Sequence, residues 1–122
     1  MENKIVGILN KHFDEQKQIC KKYNSDFTQI DEKLFIGLAT DLKLEPVNGL
    51  RHPEHGKMNG WYIWSGEWSD SDDFFQPLCL EHLIELKPEI IKYLGLDIGY
   101  RFLIDNKGHE DVWFDQNITE LK

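Results

Sequence analysis

Long apolar runs are missing from this 122-residue chain. None approaches the roughly 18 uninterrupted apolar residues that span a bilayer. The opening segment MENKIVGILNKHFDEQ also lacks the apolar centre and small-residue cleavage site of a secretory leader, so the sequence predicts a cytoplasmic protein with no membrane association. Cysteine is scarce. Cys20 and Cys79 stand far apart without metal-ligand spacing, each within an apolar helical pattern, which predicts buried, reduced thiols rather than a disulfide framework. No phosphate-cradling glycine loop of the GxGxxG or GxxxxGK-S/T kind occurs, and Ser65 in WSGE lacks the GxSxG elbow of a serine nucleophile. Bases are few in the second half: residues 1–58 hold nine acids and nine bases, residues 59–122 thirteen acids and five bases, so the second half carries the whole net charge of −8. A chain so poor in Lys and Arg there repels phosphate backbones, which excludes nucleic acid as the expected partner and leaves a basic protein as one the field would steer.

What is present is the material of a single soluble domain spanning 1–122, large enough for one sizeable core. Ile5, Ile8, Leu9, His12, Phe13, Gln16, Ile19, Cys20 and Tyr23 recur at three- and four-residue steps and predict a helix over 3–23, with Asn24 and Ser25 as its stop. KLFIGLAT predicts a strand over 34–40. Residues 41–59, broken by Pro46, Gly49, Pro53 and Gly56, read as a long loop. WYIWSGE predicts a second strand with Trp61 and Ile63 on one face and Tyr62 and Trp64 on the other. After the acidic stretch DSDD come two short helices, Pro88 opening the second and Gly95 following it, and then a hairpin turning at Asn106, Lys107 and Gly108. The expected architecture is α+β: one domain with an antiparallel or mixed sheet of about four strands, an N-terminal helix, and two short helices before a C-terminal hairpin.

Candidate chemistry is sparse. His52 and His55 flank Pro53 and would need partners such as Glu54 and Asp70 to hold zinc, yet no second His or Cys pair exists. His82 and Glu85 share a helical face without the HExxH arrangement. Asp70, Asp72 and Asp73 open like a calcium loop, but Phe74 and Phe75 stand where an oxygen ligand and a glycine belong, although Glu81 matches the last position. No metal, cofactor or catalytic residue is therefore assigned. The aromatic stretch GWYIWSGEWSDSDDFF, with three of the four tryptophans, carries the remaining signal. Trp61 and Trp64 suit a core, whereas Trp68 lies among acids, as an interface anchor or as a lid over the sheet edge.

The segments NGLRHPEHGKMNGWYIWSGEWSDSDDFFQPL and EIIKYLGLDIGYRFLIDNKGHEDVWFD, in this order, resemble the immunity proteins of bacterial polymorphic toxin systems, specifically immunity protein family 33, over about residues 48–115. The resemblance implies a cytoplasmic, non-enzymatic protein that binds and neutralises a toxin stoichiometrically; an acidic surface would suit a basic toxin. It transfers no functional residues. The residue pattern itself points to a contact surface of Glu67, Trp68, Asp70, Asp72, Asp73 and Phe74 with Arg51 and His52 from the long segment, extended by Asp111 and Asp115 if the hairpin lies alongside. Two other readings use the same residues: a regulatory or scaffolding module that binds an endogenous protein, and a metal-dependent hydrolase built on His52, His55 and the Asp70 loop.

Overall fold

Strand alternation and helical periodicity assemble here into one mixed sheet with helices packed on one side, in a computed structural model that describes residues 4–39 and 41–120. The elements in chain order are α1 (Lys4–Lys22), β1 (Phe35–Ala39), β2 (Val47–Arg51), β3 (Met58–Ser65), β4 (Gln76–Leu78), α2 (Leu80–Leu86), a 3-10 helix (Pro88–Tyr93), β5 (Tyr100–Ile104), β6 (Glu110–Phe114) and a 3-10 turn (Gln116–Ile118). The six strands run in the order β4-β1-β3-β2-β5-β6. β1 pairs with β3 in parallel and the remaining neighbours are antiparallel. Asn3 and Thr40, expected at the ends of the first helix and first strand, lie outside the described residues, as do the side chains of Ile5, Ile8 and Leu9. No helix among the described residues is long and apolar enough to cross a membrane.

The α+β class and mixed sheet are as expected, but the strand count is six rather than about four. The segment 41–59 is not a loop throughout: it contains β2 and the start of β3. Pro46 and Pro53 bracket β2 rather than interrupt it, and its interior Gly49 serves close packing, since a Cβ there would stand 2.2 Å from the Phe102 ring. β4 is only three residues long and occupies a sheet edge, where Pro77 is tolerated because no further strand needs its missing N–H. The second of the two expected helices is a 3-10 helix, with Pro88 in its first turn as anticipated.

The main core lies between the helices and one sheet face. Trp61, Ile63, Val47 and Phe102 project to this side and pack against α1, α2 and the 3-10 helix through Ile19, Leu83, Ile90 and Ile91, all buried. Burying each such side chain contributes about 1.5–3 kcal/mol before entropy is counted. α1 is further fixed by Gln16, whose buried Nε2 donates to the Ile91 carbonyl at 3.0 Å. It stops at Asn24, which takes a left-handed φ of +59°, a conformation asparagine adopts readily. The hairpin β5–β6 closes over Asp105–His109: Asp105 Oδ1 accepts from the Lys107 and His109 amides at 2.8 and 3.0 Å, and Gly108 takes φ +89°.

Candidate functional site on the half-covered sheet face

Because side chains alternate along a strand, residues that do not face the helices face the opposite side. The register places Leu50 beside Tyr62 and Arg101, and Asn48 beside Trp64 and Leu103, on that second face. A second, smaller core forms there from Ala39, Leu50, Trp64 and Ile118, with Tyr62, Phe74 and Phe75 packed against it. Tyr62 can lie flat to this face because its neighbour on β1 is Gly37, where an added Cβ would stand 2.4 Å from the Tyr62 ring. Among the described residues no α-helix covers this side. Its cover is the acidic loop after β3 and the C-terminal 3-10 turn.

The loop leaves β3 at Gly66, with φ +76°, and folds Trp68 back over the sheet. The Trp68 ring meets Trp64 edge-on at 5.0 Å and lies 5.5 and 5.6 Å from Phe74 and Phe75. Its indole N–H donates to Asp70 Oδ1 at 2.8 Å, while Ser71 bonds through its hydroxyl to Asp73 and through its amide to Ser69 Oγ at 3.2 Å. These local bonds fix the loop, yet Trp68 keeps 53% of its surface exposed. Trp68 thus covers Trp64 as a lid while part of its surface faces outward. The opposite wall is the turn at 116–118, whose preceding Asp115 accepts from the Asn117 amide and from Arg101 Nη1, both at 3.0 Å. Those bonds hold the Asp115 carboxyl below the usual carboxylate range. Arg101 in turn lies over the Trp113 ring, 5.3 Å from its centroid.

Between the two walls is a cavity of about 540 Å³. Leu50 and Tyr62 contribute from the sheet, Trp68 and Phe75 from the loop, Ile118 and Glu120 from the C-terminal turn. His52 and His55 also line it. His52 meets Tyr62 edge-on at 5.6 Å, and burial lowers its pKa from the ordinary imidazole value. These groups present ring faces, aliphatic surface, a carboxylate and an amide, the materials of recognition by contact. No group of three or more His, Cys, Asp or Glu among the described residues is placed to hold a metal ion.

The structure brings together Glu67, Trp68, Asp70, Asp72, Asp73 and Phe74 on one loop, all exposed except the half-buried Phe74, with half-buried His52 lining the cavity beside Trp68. Arg51 does not join them. It lies on the helix-covered side, 2% exposed, donating through Nη1 to the Thr28 and Leu96 carbonyls at 2.6 and 2.7 Å. A surface contact at Arg51 is therefore corrected, because β2 alternation directs it inward, opposite to Leu50. Asp111 pairs with His109 at 2.8 Å beside the hairpin turn, and Asp115 pairs with Arg101 at the opposite end of β6. Tyr62, Phe75, Leu50, Ile118 and Glu120 were not among the expected contacts. For Tyr62 the strand alternation was a usable signal; for Leu50 it was hidden by the reading of 41–59 as a loop, and nothing in NITELK marked Ile118 or Glu120.

In comparison with protein families, residues 15–115 match the family described as Imm33-like domain. The matched span begins within α1 and includes all six strands. No curated protein and no solved structure matches the chain.

Proposed function

The chain belongs to the Imm33-like family, and from that premise we propose that it is an immunity protein that binds and neutralises a cognate bacterial toxin one to one. It acts in the cytoplasm by occupying the toxin rather than by a reaction of its own. The observation that carries this reading is the incompletely covered sheet face: an aromatic floor and walls, an outward-facing Trp68, and a rim of Glu67, Asp70, Asp72 and Asp73. A tryptophan left half exposed beside a cavity is the kind of residue that dominates interface energetics when covered, whereas rim carboxylates set encounter rate and orientation.

The test is to purify the chain with the toxin encoded beside its gene and measure stoichiometry by light scattering and affinity by calorimetry. The expected outcome is a 1:1 complex that protects against toxin activity, with affinity reduced about thirtyfold or more by Trp68→Ala, the loss typical of a central anchor. A control variant, Glu15→Gln on the exposed part of α1, should bind as the parent does. Failure to form a complex would sink the immunity reading; a complex indifferent to Trp68→Ala would move the contact to another surface.

A further inference from the structure

We propose that the cavity between the acidic loop and the C-terminal turn is a receptacle for an arginine side chain presented by the protein partner, an assignment that rests on the toxin-binding reading and specifies the chemistry of the bound toxin's contact. Three aromatic residues build its walls. Tyr62 and Phe75 stand with ring centroids 5.2 Å apart and planes inclined at 70°, and Trp68 and Phe75 at 5.6 Å and 59°. All three rings line the space, so an occupant would meet aromatic surface from the sheet and from the loop. Ring faces carry the negative end of the aromatic quadrupole and attract a cation, the more strongly where water is displaced.

The described lining carries a carboxylate and two histidines, and the nearby cation, Arg101, is already held by Asp115. Glu120 is the one Asp or Glu among the described lining residues, and no Lys or Arg is among them. Burial lowers the pKa of His52, which disfavours its charged form. Trp68 and Phe75 come from the segment 66–75, which contains Glu67, Asp70, Asp72 and Asp73 and no base. An anionic occupant would meet Glu120 with no Lys or Arg among the described lining residues to pair with. A purely apolar occupant would cover Glu120 and Asn117 without giving them donors, at the cost of burying unpaired polar groups. A lysine would supply charge, but as a compact and strongly hydrated ammonium. A guanidinium is planar, more weakly hydrated, able to lie against ring faces and to donate in parallel to a carboxylate. At about 540 Å³ the cavity has room for the aliphatic stem of an arginine against Leu50 and Ile118 as well as for its head.

The experiment uses the complete chain and needs no toxin. N-acetyl-arginine methylamide is titrated at constant ionic strength while the Trp68 indole N–H and the Leu50 and Ile118 amides are followed by NMR, beside parallel titrations with the neutral isostere N-acetyl-citrulline methylamide. Saturable shifts are expected with arginine, at least about fivefold weaker with citrulline, as loss of a cation–aromatic and carboxylate contact would give. Glu120→Gln should weaken arginine binding about threefold and Trp68→Leu about tenfold, with the remaining spectrum unchanged. No saturable shift, or equal shifts with citrulline, would overturn the assignment and leave toxin binding to stand or fall by complex formation. Perturbation of these same signals by raising the protein concentration alone, with a dimer in sedimentation, would give the cavity to a second copy and equally overturn it. Arginine binding without any toxin complex would instead refute the partner reading while keeping the cavity's chemistry.

Discussion

Arg51 is charged, almost fully enclosed, and held by two carbonyl oxygens with its guanidinium carbon 5.8 Å from the Trp61 ring centroid. Burial lowers its pKa to about 10, with Asp97 and Glu54 acting in the opposite direction, so it remains protonated at neutral pH. Its function is to tie the end of β2 to the Thr28 and Leu96 backbones. Truncation would leave both carbonyls without this donor, and Arg51→Ala is expected to lower unfolding free energy by about 3 kcal/mol, measured by urea denaturation. Arg51→Lys should recover part of the loss, because an ammonium reaches with one point of charge rather than a fork. Neither should alter toxin affinity per folded molecule; a large affinity loss in the folded Lys variant would make Arg51 a determinant of the interface after all. The sequence around Arg51, GLRHPEH, looks like a solvated loop, and only the strand register shows that its side chain shares the Trp61 face. Trp61 and Tyr62 needed no such help, since alternation along WYIW separates their faces wherever the strand is placed.

Elements are joined at one point by a carboxylate rather than by apolar contact. Glu110, at the start of β6, accepts from Lys22 Nζ at 2.9 Å, from the Tyr93 hydroxyl at 2.6 Å and from the Tyr23 hydroxyl, so α1, the 3-10 helix and the hairpin meet on one side chain. Burial alone would raise its pKa, but these hydrogen bonds outweigh burial and hold it at about 2. A carboxyl depressed below its unfolded value of about 4.3 stabilises the fold above that pH and loses the contribution as pH falls towards 2. The contribution, reduced for solvent screening, is on the order of 1–2 kcal/mol. Urea titrations between pH 5 and pH 2.5 should therefore show a shallower loss of stability for Glu110→Gln than for the parent; parallel slopes would remove Glu110 from the acid response. Elements carried by strong periodicity, α1 and the hairpin, were legible from sequence. β2 and β4 were not, because five residues containing a central glycine and three containing a proline owe their extended form to neighbouring strands rather than to local preference.

Across the whole molecule, the two sheet faces have different amounts of cover, and this asymmetry is where sequence reading stopped. The order of helices and strands disclosed the α+β class, and the pattern over 48–115 disclosed the kinship. The family match extends this to residue 15, consistent with the way Gln16 and Lys22 bind α1 to the remainder of the fold. The concavity of the second face depends on where Gly66 sends the loop and where the chain returns after β6, both tertiary matters. Charge was readable from the start: the −8 net charge belongs to the second half of the chain, which supplies Glu67, Asp70, Asp72 and Asp73 on the loop that carries Trp68, and Glu120 in the cavity lining. If this field guides a basic toxin onto the open face, association should slow as salt is raised from low to physiological ionic strength, while dissociation changes little. Asp70→Asn, Asp72→Asn and Asp73→Asn combined should slow association about three- to tenfold and flatten its salt dependence. The neutral amides still offer an oxygen to the Trp68 indole and the Ser71 hydroxyl, so the loop should keep its shape and the Tm should hold. Stopped-flow rates decide the matter: an effect confined to dissociation would make these carboxylates direct contacts, and no effect on either rate would remove the loop from the encounter.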